Sequence, residues 1–366
     1  MPNRPRLLIL FSAFSESMRR NSLEIASAAM KRYDVEIFAP DRDAKALRAS
    51  GLSAKSWKPV GLLTMLWAID ALRKTVKSYD PDMIHAFGFT AAAAGLGSVS
   101  RMMAKRTLVS LEDPIPVMGV DLPKKFVKQR LPLLFERPGK IICAHPTLAK
   151  DIQEYLNVAP DLIDVIPPCV HAVPSHAMRP KGRPGPILGF AGPLGPDAAW
   201  ETALAAFAKI KPEYPDAQLW LAGSGTLISK VRSEAHGYGV MDSIRLLGDV
   251  KLTELFAGID LLVVPRDRDP HPRAFLEALV TGVPIVATNR GALADYLGER
   301  QTGWLVSPDA DGFAAGIRDA WAGIDEAWQG AAAQSAAAAA EFDPATNIAR
   351  TLAHYDELLA ASAVPA

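Results

Sequence analysis

The stretch that decides the fold runs "DLLVVPRDRDPHPRAFLEALVTGVPIVAT", from residue 260 to residue 288. A short β-branched run opens it, a charged segment with prolines follows, and an amphipathic stretch leads into a second β-branched run. This order is typical of a strand, a loop, a helix and another strand. Pro272 fits the first helical position and Gly282 the end of the helix, so we predict a parallel α/β unit here.

Short apolar runs separated by segments of helical length recur along the whole chain, and this alternation indicates parallel α/β units. The strands predicted in the first half are 6–11, 34–40, 82–87, 106–112 and 140–145. Those predicted in the second half are 186–192, 218–223, 243–248, 260–265, 283–288 and 303–308. The predicted fold class is therefore α/β, with two doubly wound Rossmann-like domains facing each other across a cleft.

The domain boundary follows from size and from a breaker-rich segment. A chain of 366 residues with 49% apolar residues can build more than one core. Residues 167–186 are rich in proline and glycine, which continue neither regular structure. We predict domains over 1–170 and 187–340, a linker over 171–186, and a helical tail over 341–366.

Composition argues against several classes of protein. Lys plus Arg and Asp plus Glu are 40 each, which removes the electrostatic case for a nucleic-acid binder. No run approaches the ~20 apolar residues of a membrane span, and the first is too short for a signal peptide, so we expect a cytoplasmic protein. Cys143 and Cys169 have no partners at metal-ligand spacing, so neither a disulfide nor a metal is predicted.

The opening stretch also carries a candidate anion site. The free N–H groups of its helix, with Arg266, Arg268 and Arg273 close in sequence, would suit a phosphate. Glu277 lies one turn beyond Arg273, and Asp269 belongs to the loop before the helix. The alternative is that Glu277 simply pairs with Arg273 on a solvated helix face and that Asp269 is an ordinary loop acid.

Residues 265–310, "PRDRDPHPRAFLEALVTGVPIVATNRGALADYLGERQTGWLVSPDA", closely resemble the donor-site segment of the family-4 glycosyltransferases of GT-B fold, the glycosyl transferases group 1. The shared pattern is an acid, seven residues, a second acid, then a small residue, Gly, Pro and a buried strand. The motifs "FAGPL" (190–194), "LWLAGSG" (219–225) and "LLGDV" (246–250) extend the resemblance through the second half. In the first half of the chain the resemblance is loose.

The resemblance implies a nucleoside diphosphate sugar as the donor and assigns roles to residues. Glu277 would hold the ribose hydroxyls through charge-assisted hydrogen bonds, and residues 269–273 would meet the sugar and the diphosphate. Other implied donor-site residues are Gly192, Gly223, Gly225, Arg266, Arg268, His271, Arg273 and Asn289. For the glycines of "AGSG" the alternative is an ordinary tight turn after a strand.

The departures from the family pattern concern the catalytic groups. Pro193 and Ala198 stand where the family has an Arg and a Lys that face the diphosphate, and Asp269 is one methylene shorter than the usual Glu. Glu112 and Asp113 replace a His and become, with Asp269, the catalytic candidates. A helix-capping role for Glu112 and Asp113 is the alternative. Outside the site, His85 is predicted to be a satisfied core histidine.

We therefore expect a retaining glycosyltransferase that needs no metal and acts on a glycan or a lipid-linked acceptor. One alternative is a degenerate GT-B protein that binds a nucleotide sugar or a partner without catalysis, which the missing cations favour. A sugar-nucleotide epimerase is a third. The segment 123–140 interleaves cations with apolar residues, so we expect either a peripheral contact with the inner membrane surface or a packed helix with a basic face.

Overall fold

The structure is a computed structural model. It describes residues 4–11, 16–49, 53–57, 61–112, 132–172, 182–196, 199–266, 273–298 and 303–361. The chain forms two compact units. The first contains Met1–Cys169 together with Pro344–Ala366, and the second contains Val170–Asp343.

Within the described residues, the first unit is built on a sheet of seven parallel strands in the order β3-β2-β1-β4-β5-β6-β7. The strands are β1 (Arg6–Phe11), β2 (Asp34–Pro40), β3 (Ala54–Trp57), β4 (Met83–Phe87), β5 (Thr107–Leu111), β6 (Lys140–Cys143) and β7 (Ile163–Val165). The helices are α1 (Glu16–Ala29), α2 (Asp41–Ala49), α3 (Gly61–Tyr79), α4 (Phe89–Ser98), α5 (Arg101–Lys105) and α6 (Pro146–Leu156).

Strand β1 shows why the apolar runs carry no polar alternation. It pairs on one side with β2 and on the other with β4, so it lies in the middle of the sheet. Leu8 and Leu10 pack into the core on one face, whereas Leu7, Ile9 and Phe11 pack into the core on the other. Both faces of a parallel sheet are covered, which is why such strands read as continuous apolar runs.

Within the described residues, the second unit has six parallel strands in the order β10-β9-β8-β11-β12-β13. They are β8 (Ile187–Ala191), β9 (Gln218–Ala222), β10 (Ile244–Gly248), β11 (Leu261–Val264), β12 (Ile285–Thr288) and β13 (Gly303–Val306). The helices are α7 (Trp200–Ile210), α8 (Ile228–Gly237), α9 (Leu252–Gly258), α10 (Arg273–Thr281), α11 (Gly291–Leu297), α12 (Ala310–Ala322) and α13 (Ile324–Glu341).

The last helix, α14 (Pro344–Ala361), belongs to the first unit. Asp356 accepts hydrogen bonds from Arg32 at 2.8 Å and from the hydroxyl of Tyr33 at 2.7 Å. The ring of Tyr355 is fully buried against that of Tyr33. These contacts attach α14 to the segment that follows α1.

The predicted fold class is confirmed for each unit by itself, because both units are parallel α/β sheets of the doubly wound type. Each predicted apolar run contains an observed strand, with ends that differ by a few residues. Gly282 directly follows α10 with φ of 77°, the left-handed conformation expected of a helix-ending glycine. Strands β3 and β7, at the two edges of the first sheet, were not predicted.

Candidate functional site

The strand order of the second unit locates a binding edge. From β8 the chain winds outward through β9 to β10, and from β11 it winds the other way through β12 to β13. The neighbours β8 and β11 therefore mark the topological switch point. In sheets of this kind, ligands bind outside the carboxyl ends of the strands at that point.

The described donor-site candidates follow the carboxyl ends of these strands. Gly192 follows β8, Gly223 follows β9, Arg266 lies two residues beyond β11, and Asn289 follows β12. Arg266 is half-buried, whereas Asn289 is exposed and donates its backbone N–H to Val306 O at 2.8 Å. The topology thus brings residues from distant parts of the sequence to one edge of the sheet.

The glycines at this edge let two loops pack backbone against backbone. Gly192 N–H donates to Ala222 O at 3.0 Å, and Leu194 N–H donates to Ser224 O at 2.9 Å. A Cβ on Gly223 would collide with the carbonyl oxygen of Gly192, and one on Gly225 with that of Leu194. The φ of 137° at Gly223 also disfavours any other residue. Loop packing therefore accounts for both glycines without a ligand.

Helix α10 follows β11 and carries Glu277 near its middle. Oε1 of Glu277 lies 2.6 Å from Nε of Arg273, so the ion pair considered from the sequence is present. The two side chains differ in exposure, 16% for Glu277 and 56% for Arg273. The pair therefore joins a largely covered carboxylate to a cation that water reaches freely.

Several predicted site residues lie outside the described residues. These are Asp113, Arg268, Asp269 and His271, and Ala198, which stands where the family has a Lys, also lies outside them. Their roles stay predictions.

In the first unit, Glu112 directly follows β5 and is only 6% exposed. Its Oε1 accepts a hydrogen bond at 2.9 Å from Nδ2 of Asn21, which lies on α1. The Oδ1 atom of Asn21 accepts in turn from the backbone N–H of Cys169 at 3.3 Å. Sequence reasoning missed Asn21, because a single asparagine in a polar helical stretch carries no periodic or motif signal.

Glu112 borders a small cavity of about 20 Å³. The cavity lies at the carboxyl ends of β5 and β6, and its described polar lining residues are Asn21, Ser110, Glu112, Cys169, Asn347 and Thr351. A space of this volume holds about one water molecule or one hydroxyl group. The first unit thus places a buried carboxylate beside a polar cavity.

His85 is the core histidine that its apolar strand predicted. Its Nδ1 lies 2.6 Å from the hydroxyl of Tyr355, and its Nε2 lies 2.8 Å from Oγ of Ser110. Burial, and to a smaller extent the charge of His354, lowers the pKa of His85 to about 3. The ring is therefore neutral at physiological pH and joins β4, β5 and α14.

In the part of the chain that the structure describes, the cysteines, the possible metal ligands and the helices add no further candidate site. Both cysteines are free thiols, and burial raises the pKa of Cys143 to about 12. Among the described residues, no group of three or more His, Cys, Asp or Glu side chains could hold a metal ion. None of the described helices is long and apolar enough to cross a bilayer. Residues 123–131 of the basic segment lie outside the described part.

Comparison with known proteins supports the expected family. Residues 20–172 match the family model Glycosyltransferase Family 4, and residues 185–322 match the model Glycosyl transferases group 1. Glycogen synthase of Mycobacterium tuberculosis is 32% identical over 149 residues, which are 40% of this chain and 36% of that protein. The chain thus matches little more than a third of that relative's length.

Two solved structures share the fold over nearly their whole length. A glycosyltransferase from Rickettsia africae superposes with a TM-score of 0.76 at 15% identity, covering 98% of this chain and 99% of that one. HepE of Anabaena in complex with UDP gives a TM-score of 0.76 at 18% identity, covering 96% and 100%. The chain carries a Family 4 and a group 1 glycosyltransferase domain on a GT-B-like fold, which confirms the resemblance seen in its sequence.

Proposed function

We propose that the protein is a retaining glycosyltransferase that moves a sugar from a nucleoside diphosphate donor to a glycan or lipid-linked acceptor. The observation that carries the proposal is the edge of the second sheet at its switch point. There Gly192, Arg266 and Asn289 follow the carboxyl ends of neighbouring strands, and the helix after β11 carries the largely covered carboxylate of Glu277. A ribose with two vicinal hydroxyls suits such a carboxylate.

The structural neighbours support the choice of donor class. HepE of Anabaena has been solved in complex with UDP and in complex with UDP-glucose. Both domain models matched by this chain are glycosyltransferase models. We propose by analogy that this chain binds a nucleoside diphosphate sugar at the second unit.

The chemistry we propose is mainly electrostatic. Departure of the diphosphate leaves an oxocarbenium-like sugar, and the acceptor hydroxyl attacks from the face on which the leaving group departs, which retains the configuration. The diphosphate needs positive charge, and Arg266, Arg268 and Arg273 are the candidates close to the start of α10. Asp269, Glu112 and Asp113 are proposed to contact the sugar or the acceptor. We propose that no metal ion is required.

A binder without catalysis is the second candidate. Pro193, exposed after β8, and Ala198 occupy the positions at which the family carries an Arg and a Lys. Without those cations the leaving diphosphate lacks its usual electrostatic stabilisation. The absence of these two cations is the observation that favours the second candidate.

One assay separates the two candidates. The full chain is incubated with UDP-glucose, GDP-mannose and ADP-glucose in turn, with water and with oligosaccharide acceptors, and release of the free nucleoside diphosphate is followed. A transferase releases diphosphate from at least one donor, and NMR of the product should show the anomeric configuration of that donor. The binder binds nucleotide, releases nothing, and gains activity when Pro193→Arg is combined with Ala198→Lys.

A further inference from the structure

The amide of Asn21 joins two parts of the first unit that are far apart in sequence. Its Nδ2 lies 2.9 Å from Oε1 of Glu112, 91 residues away. Its Oδ1 lies 3.3 Å from the backbone nitrogen of Cys169, 148 residues away. One side chain thus joins the residue after β5 to Cys169, where the first of the unit's two chain segments ends.

The two neighbours fix the orientation of this amide. An ionised carboxylate only accepts hydrogen bonds, and a backbone N–H only donates them. Turning the amide over would place oxygen against the carboxylate and NH₂ against the N–H, and both bonds would be lost. Asn21 is therefore held with its donor toward Glu112.

Glu112 is held in turn beside the cavity. Among the described residues that line the cavity, it is the only carboxylate, and Cys169 is the only other titratable group. Asn347 and Thr351 line it from α14, while Ser110 lines it from β5. For a hydroxyl group that enters this space, Glu112 is the one carboxylate acceptor among the described lining residues.

We infer that Asn21 is a positioning residue, which holds the Glu112 carboxylate at the cavity so that it accepts a hydrogen bond from a sugar hydroxyl during transfer. The inference rests on the proposed glycosyltransferase function. It gives α1 of the first unit a role in the reaction, whereas the family motifs found in the sequence lie in the second unit.

The variant Asn21→Asp tests the two hydrogen bonds of the Asn21 side chain independently. The new side chain has the same shape and still accepts from the N–H of Cys169. Toward Glu112 it offers a donor only when it is protonated. Two carboxyl groups at hydrogen-bond distance raise the pKa of one of them, so they share a proton at low pH and repel each other at high pH.

The expected result is a pH-dependent loss of kcat. For whichever donor the wild type turns over, Asn21→Asp should approach wild-type kcat near pH 5. As the pH rises toward 8, it should lose about tenfold or more relative to wild type. KM for the donor should stay unchanged, because the substitution leaves the proposed donor-site residues of the second unit in place. Asn21→Ala should lose activity at every pH.

Asn347→Asp is the matched control. It adds a carboxylate to another wall of the same cavity, at a residue that lies on α14. A purely structural role, or a general effect of charge in the cavity, predicts the same pH profile for both variants. That outcome overturns the inference, and so does a wild-type profile for Asn21→Asp.

Failure of the proposed function gives a different result. If wild-type protein releases no diphosphate from any donor, the transferase proposal fails and this inference fails with it. If wild type is active and Asn21→Asp matches it from pH 5 to 8, only the role of Asn21 is rejected.

Discussion

The Nε atom of Arg273 lies 2.6 Å from Oε1 of Glu277, one turn further along α10. The arginine is mostly exposed and the carboxylate mostly covered. Because water reaches Arg273, the ion pair is partly screened, and the carboxylate of Glu277 has further lone pairs that can accept hydrogen bonds from a ligand. The pair is therefore compatible with a binding role for the acid, and the two roles are separable by mutation.

Glu277→Ala is expected to weaken binding of the nucleoside diphosphate by about 1.5–3 kcal/mol, because charge-assisted hydrogen bonds to the ribose are lost. Isothermal titration calorimetry with the tightest-binding diphosphate measures the change. Glu234→Ala is the control, since it removes another i,i+4 ion pair, that of Glu234 with Lys230 on α8, at residues outside the proposed donor site. If Glu277→Ala binds as tightly as wild type, Glu277 serves only the ion pair.

Replacing the loop cations should identify the partner of the diphosphate. At least one of Arg266→Ala, Arg268→Ala and Arg273→Ala should lower kcat as well as kcat/KM, because stabilisation of the leaving group is felt in the transition state. A helix N-terminus alone supplies about 0.3–1 kcal/mol at an exposed site. Arg245→Ala, at an exposed position of β10, is the control. Wild-type turnover in all three variants contradicts the idea.

The buried His85 should make the fold sensitive to acid. Its folded pKa is about 3, whereas an unfolded histidine titrates near 6.5. Between these values the unfolded chain binds a proton that the folded chain does not. This contribution to stability is therefore complete above pH 6.5 and falls as the pH drops toward 3.

Urea unfolding of wild type and His85→Gln at pH 7.5 and pH 5.5 tests this. Wild type should lose about 1.4 kcal/mol more than the variant between the two pH values. Tyr355→Phe keeps the titrating ring and serves as the control, so it should show the wild-type pH dependence. Parallel behaviour of wild type and His85→Gln means that His85 does not titrate as described.

Gly223→Ala should be costly, since the added Cβ meets the backbone of Gly192 and φ is 137°. We expect a loss of roughly 2–4 kcal/mol in the free energy of unfolding. Gly239→Ala is the matched control, because φ there is 70° but no atom lies within 4 Å of an added Cβ. It should cost about 1–2 kcal/mol. Equal costs would show that the loop contact is not tight.

The sequence predicted the central strands because both of their faces are buried. Strand β1 reads "RLLILF" and lies between two neighbours. Strands β3, "AKSW", and β7, "IDV", lie at the edges of the sheet and show no continuous apolar run. All three residues of β7 are only partly buried, and Lys55 and Ser56 of β3 are exposed. Edge strands depend on tertiary pairing more than on their own composition.

The residues of the candidate site also differ in whether the sequence could predict them. Gly192, Gly223 and Glu277 belong to local motifs, so the sequence could single them out. The bond between Asn21 and Glu112 spans 91 residues and involves one polar side chain in a helix, so no local pattern announces it. The attachment of α14 to the first unit likewise involves residues far apart in sequence, such as Tyr355 packed against Tyr33 and Arg32 paired with Asp356.

The central claim is that the full chain binds a nucleoside diphosphate sugar, and a thermal-shift titration tests it most directly. UDP, GDP and ADP, and a sugar conjugate of each, are titrated separately. At 100 times its Kd, the correct ligand should stabilise the fold by about 2.7 kcal/mol. For units of this size that corresponds to a rise in Tm of roughly 5–10 °C. No shift with any of the six compounds would contradict the claim.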